Sequence, residues 1–285
     1  MEGRARAPGA ATVLNALATG TGSAFAIDLY TTATVTLSDE SAIHGRITER
    51  PDGDTTLIET CVAMTLDRYG DDDYVGGRVE TRSELPLAGG LKSSSAAANA
   101  TVLATLDALD RADDVDRVDA ARLGVDAARA AGVTVTGAFD DASASMLGGA
   151  TVTDNTEDRV RSHERLDHAV VIFTPPTEAY SADADVERCE KIATVAEVVA
   201  ELAMAGRYGE AMTINGFAFS AALGFSPEPM LRALPGVDGV SLSGTGPSTV
   251  AIGSEAAIAA VGARWEEMDG TVRITQTQHE GATIV

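Results

Sequence analysis

The sequence predicts an α+β protein of two halves, and three observations carry that expectation. Short alternating β-branched runs are scattered among Ala-rich segments with helical spacing, a mixture expected of strands and helices that do not strictly alternate. At 285 residues the chain can bury about 75% of its unfolded surface, enough for two modest domains sharing a cleft. Apolar residues make up 45% but aromatic ones only 4%, so the core must be assembled from Ala, Val, Leu and Ile.

From the N-terminus, the Gly-, Ala- and Thr-rich segment Ala5 to Ile27 gives no clear period. The first strand is predicted at Thr31 to Leu37, with Ala42 to Ile47 as a candidate partner. A helix follows at Leu57 to Tyr69, then an acidic turn and a strand at Arg78 to Glu84, ended by Pro86. Helices are predicted from Ser94 to about Leu109 and from Val118 to Ala131, the second closed by Gly132. Small and polar residues from Thr134 to Gly149 read as loop. Charged residues crowd Asp154 to Arg165, which sets a domain boundary at 155/156 and gives halves of 1–155 and 156–285. In the second half, Ala169 to Phe173, Val240 to Leu242, Thr249 to Ile252 and Thr271 to Thr275 read as strands. Asp185 to Ala205, Tyr208 to Leu223 and Ala256 to Glu267 read as helices.

The net charge of −22 disfavours nucleic acid as a partner. Of the 21 basic residues only Lys92 and Lys191 are lysines, and this acidic, Arg-biased surface suits concentrated salt. Cys61 and Cys189 form no disulfide framework, and the histidines show no ligand spacing with them, so a reducing compartment and no His/Cys metal site are expected. The N-terminal residues lack the apolar core of a secretory signal, and no apolar run is long enough to span a bilayer, so a cytoplasmic protein is expected.

The segment Pro86, Leu87, Ala88, Gly89, Gly90, Leu91, Lys92, Ser93, Ser94, Ser95, Ala96 places a Gly-rich loop immediately before a helix. Unpaired N–H groups at a helix N-terminus and the helix dipole favour phosphate, Lys92 adds positive charge, and the serine hydroxyls suit phosphate or Mg²⁺. The same pattern also suits a turn leading into an N-capped, Ala-rich helix. It is not a Walker A loop, because Leu91 separates Gly90 from Lys92.

Pro86, Gly90, Leu91, Ser93 and Ser94, followed by Ala96 and Ala97, resemble the second signature of the GHMP small-molecule kinases. Ala7-Pro8-Gly9 echoes the first signature and Ser243 to Ser248 the third. The resemblance implies a ribosomal-protein-S5-like N-terminal domain, a ferredoxin-like C-terminal domain and ATP with Mg²⁺ between them. It places the cation on Ser94, with Ser95 nearly as well aligned, and Gly244, Thr245 and Gly246 against nucleotide or acceptor. The segment Thr136 to Gly149 resembles the family's catalytic loop, and counting back from Gly148 and Gly149 puts the general base on Asp141, with Asp140 as neighbour. Without the motifs, the pair reads as an ordinary acidic turn. Many family members carry Lys after the Pro-Gly of the first signature, where this chain has Ala10. Lys92, Arg4 and Arg6 remain as alternative sources of positive charge.

Ala7 to Gly20, Gly22 to Asp28 and Thr136 to Asp141 resemble archaeal shikimate kinases. That resemblance implies transfer of the ATP γ-phosphate to the 3-hydroxyl of shikimate. A kinase for another alcohol, such as mevalonate or homoserine, and a catalytically silent ATP-binding regulator are the competing expectations.

Overall fold

The first 38 residues build a long antiparallel hairpin from β1 (Glu2–Leu14) and β2 (Thr21–Ser38). The computed structural model describes every residue except 72, 87–88, 135–136 and 178–183. Pro8 sits within β1 where the register shifts between Pro8 and Gly9, a break in the ladder that accommodates a residue lacking an N–H. On its other side β2 pairs first with β5 (Ala150–Asp154) and then, from Thr31 on, with β4 (Gly76–Ser83).

β3 (Ile43–Ile47) was expected beside the Thr31 to Leu37 strand, but it pairs with β4 instead, in parallel. The reason is that β2 has no free edge there, being hydrogen-bonded to β1 and β4. β6 (Arg159–Glu164) extends the sheet beyond β5, past the expected 155/156 boundary, and β11 (Thr283–Ile284) closes the far edge on β1. The result is a seven-stranded sheet.

Helices α1 (Thr56–Tyr69), α2 (Ser93–Ala108), α3 (Arg117–Ala130) and α4 (Phe139–Leu147) accompany this sheet. α2 is central. It contacts β1, β2, α1, α3 and α4, and nearly every residue from Ala96 to Ala108 is buried, which explains its run of small residues. Its Asn99 donates to the Ala142 carbonyl at 2.9 Å and so pins α2 to α4.

The second sheet is antiparallel, in the order β10 (Thr271–Gln276), β7 (Ala169–Thr174), β9 (Thr249–Gly253), β8 (Gly239–Leu242). α5 (Val186–Glu190), α6 (Ala193–Met204), α7 (Tyr208–Leu223), α8 (Glu228–Ala233) and α9 (Glu255–Trp265) complete this half. Trp265 is fully buried and donates its indole N–H to the Pro229 carbonyl at 2.9 Å. One apolar core joins the halves, since Val170, Val199, Met212 and Val250 pack in the same cluster as Phe25, Leu103 and Val152.

Candidate active site

Three Gly-containing segments converge at the N-terminal end of α2. Gly90 has φ of +75°, and a Cβ there would lie 2.3 Å from the Ser243 carbonyl oxygen, so only glycine lets the two loops touch. Ser243 donates its hydroxyl to the Gly90 carbonyl at 2.8 Å, and the Gly244 N–H donates to Thr12 Oγ1 at 2.8 Å. Asn15 donates to the Gly244 carbonyl at 2.9 Å, while its own backbone N–H is held by Asn215 Oδ1 at 3.0 Å. Thus β1, the phosphate-type loop and the 243–248 loop are fastened together.

α2 begins without a side-chain cap or an acidic residue in its first turn. Its first N–H groups have no intrahelical acceptor, so this end offers donors and positive dipole to an anion. The residue before the helix is Lys92, in the left-handed conformation at φ of 64°. Such a conformation in a non-glycine residue stores about 1–2 kcal/mol. α4 starts in the same way, from Ala138 at φ of 53°.

The two carboxylates in the first turn of α4 diverge. Asp140 turns inward, is 5% exposed, and accepts from Asn155 Nδ2 at 2.7 Å; Asn155 in turn accepts from Thr153 Oγ1 at 2.7 Å. Gly22 of β2 makes room for it, since a Cβ there would lie 2.6 Å from Asp140 Cγ. Both residues border the cavity, and Asp141 keeps 13% of its side chain open to it. Its Oδ1 lies 2.9 Å from Lys92 Nζ, a close ion pair. Burial, and secondarily the charge of Asp140, push the Asp141 carboxyl up to about 7, against the opposing pull of Lys92.

The cavity they face measures about 460 Å³, within the range of small-molecule sites. Gly90, Lys92, Ser93, Ser94, Ser95, Asp141, Gly244 and Thr245 line it. Other residues of the loop have different tasks: Leu91 and Ala96 are buried in the core, and Pro86 and Gly89 stand outside the cavity wall. Leu87, Ala88 and Thr136 lie outside the described residues. Gly246 packs against the Phe225 ring, not on the cavity. Arg4 and Arg6 are remote from Asp141: the Arg4 backbone bonds Asp107, and the Arg6 guanidinium lies over Tyr30 at 4.4 Å. Arg50 and Asp54 also line the cavity, and no sequence signal singled them out.

Among the described residues no group of three His, Cys, Asp or Glu side chains could hold a metal. A divalent cation in this cavity would therefore rest on serine hydroxyls and on ligand oxygens, a hard donor set that suits Mg²⁺.

Residues 56–149 match the family of GHMP kinases N terminal domains. A shikimate kinase of Halobacterium salinarum is 62% identical over 283 residues, covering 99% of both chains. The chain belongs to the archaeal shikimate kinases of the GHMP kinase superfamily. Within this family the shikimate kinase of Methanosarcina mazei is 52% identical, with 99% of this chain and 96% of the relative covered. The GHMP fold is equally plain. A homoserine kinase from Cytophaga hutchinsonii superposes with a TM-score of 0.78 at 18% identity, covering 100% of this chain and 97% of that one. The Methanococcus jannaschii mevalonate kinase superposes at 0.77 and 16%, covering 97% and 98%.

Proposed function

We propose that the protein is a shikimate kinase, transferring the γ-phosphate of ATP to the 3-hydroxyl of shikimate to give shikimate 3-phosphate and ADP. The observation that carries this reading is the juxtaposition, in one cavity, of an uncapped helix N-terminus and a largely buried carboxylate paired with a lysine. The full-length likeness to shikimate kinases chooses the acceptor.

In this mechanism ATP lies with its phosphates over Gly90 and Ser93 to Ser95, where backbone N–H groups and Lys92 offset their charge. A recess of about 160 Å³ shares Ile47, Asp54, Ser93, Ser94 and Val133 with the main cavity and supplies a place for the nucleobase. The acceptor hydroxyl donates to Asp141. As its oxygen attacks phosphorus, the proton passes to the carboxylate, the new O–P bond forms, and the bond from the γ-phosphorus to the bridging oxygen breaks with its electron pair going to ADP. Asp140, locked to Asn155, sits beside Asp141 and helps to push the Asp141 carboxyl up, which makes it a stronger base. Ser94, with Ser95 adjacent, is the hydroxyl assigned to Mg²⁺, which neutralises phosphate charge when bound. Gly244 and Thr245 close the opposite wall on nucleotide or acceptor.

The ATP-binding half comprises residues 1–155, continued by β6 and completed by β11, and residues 156–285 supply the rest. The acidic surface, the two buried free cysteines and the absence, among the described residues, of any helix long and apolar enough to cross a membrane fit a cytoplasmic enzyme working in concentrated salt. ADP release in molar KCl, measured with shikimate, mevalonate and homoserine in turn, tests the acceptor. Shikimate alone is expected to support turnover. Turnover of another alcohol without turnover of shikimate would overturn the assignment.

A further inference from the structure

We propose that Lys92 is a catalytic residue: its ammonium, carried on the phosphate loop, bridges Asp141 and the phosphoryl group in transfer. The inference rests on the functional reading above and adds to it the source of the charge that works on the base.

The geometry is the first support. Lys92 Nζ stands 2.9 Å from Asp141 Oδ1 with only 8% of the side chain exposed. A Cβ added at Gly244 would lie 2.8 Å from the same nitrogen. The ammonium therefore occupies the point where the phosphate loop, the 243–248 loop and α4 meet, on the wall of the cavity. Among the described residues no other cation forms an ion pair with Asp141.

The choice of residue is the second support. Arginine serves the structural ion pairs of this chain, in two-pronged contacts such as Arg165 with Asp167 and Arg207 with Glu210. A guanidinium would also be the better partner for a purely structural buried carboxylate. The site instead holds one of the chain's two lysines, in a left-handed backbone conformation and largely buried. Burying an ammonium is costly unless it is paired, and strain of this kind collects where geometry is functional. A compact ammonium on one carboxylate oxygen leaves the remaining lone pairs of Asp141 able to accept from a hydroxyl.

The third support is that β1 cannot supply the charge. Ala10 is fully buried against Ala24 and against Ala144, which lies on α4 one turn beyond Asp141. Methyl groups fill the space that a lysine stem from β1 would need.

The arrangement defines a charge relay without a second proton transfer. Before reaction the ammonium is shared between the Asp141 carboxylate and the phosphate oxygens. When the acceptor proton neutralises Asp141, the ammonium keeps its own proton and its charge becomes available to the transferring group as the bridging bond breaks. Positive charge placed in this way acts mainly in the transition state.

Lys92→Met is expected to lower kcat about 100-fold and to move the acid limb of the rate profile upward by about one pH unit, because the charge that favours ionised Asp141 is gone. Direct calorimetric titration of Mg-ATP should show a weaker change than kcat. Lys92→Arg should leave the acid limb in place. The Lys92→Met, Asp141→Asn double variant should be little slower than Asp141→Asn alone, since the two groups act as a unit. Melting curves establish folding, and Lys92→Gln carries the same reading where the Met variant does not fold. A loss confined to the KM for Mg-ATP, with kcat and the acid limb unmoved, would overturn the proposal and leave Lys92 a phosphate-binding group. Turnover of another alcohol, or an Asp141→Asn variant of full activity, would instead overturn the functional reading, so the two failures are distinguishable.

Discussion

Asp141→Asn is expected to lower kcat by about 100- to 10,000-fold while Mg-ATP still binds. Asparagine keeps the shape of the side chain and can still meet an acceptor hydroxyl, but it cannot take the proton. The wild-type profile gives the same residue a second signature. A base must be ionised to work, and burial together with Asp140 pushes the Asp141 carboxyl up to about 7, so the rate should fall as pH drops through neutrality. The Asn variant should lose this limb altogether. Stopped assays for ADP between pH 6 and 9, on a scale of roughly half-unit steps around the carboxyl's titration, read both effects. Full activity in the variant, or an unchanged acid limb, would remove Asp141 from the role of base.

The second large effect is expected at Gly90. Gly90→Ala must bear the left-handed strain of about 1–2 kcal/mol and also move a Cβ away from the Ser243 carbonyl, which it would meet at 2.3 Å. Because that neighbour is backbone, relief requires the loops to part, with loss of the bond from Ser243 to the Gly90 carbonyl. The phosphate wall and the Gly244 wall then separate. A drop of at least about 100-fold in kcat/KM for Mg-ATP is expected, a loss of roughly 3 kcal/mol of transition-state stabilisation. Gly224→Ala is the control. Gly224 has φ of +80° with nothing within 4 Å of an added Cβ, so it suffers the strain without the collision and should keep its activity. Equal losses in the two variants would mean that backbone strain, not the joining of the loops, governs the site.

The parts of the fold that were legible in the sequence are those with a strong period or a sharp boundary. α2 announces itself because glycines precede a serine and alanine run, and α3 because its apolar stripe ends at Gly132. β1 and the first half of β2 did not, since small residues let α2 pack closely there and leave little alternation to detect. α4 was hidden for another reason. It has nine residues, many of them small or polar, and starts from a left-handed alanine with no side-chain cap, so neither periodicity nor a start signal marks it. The misplaced partner of β3 shows the limit of reading strands in pairs: its neighbour was fixed by which edge of the sheet remained open.

The site divides in the same way. Resemblance to known signatures could point to the phosphate loop and to Asp141. Residue spacing could not reveal that Lys92 reaches across to Asp141, because that contact is made by the packing of α2 against α4. The hints available were the scarcity of lysine in an arginine-using chain and Ala10 standing where the first signature often has lysine, which left Lys92 beside Arg4 and Arg6 as candidates. Asn155 and Gly22, which set Asp140, carry no local signal at all, since their role exists only once β2, β5 and α4 are assembled.

The central claim is tested most directly by identifying the product. Wild-type protein, Mg-ATP and shikimate in molar KCl should give ADP and an equal amount of one phosphate ester, whose phosphorus couples in the NMR spectrum to the proton on carbon 3. ADP and inorganic phosphate without the ester, or an ester at another hydroxyl, would contradict it.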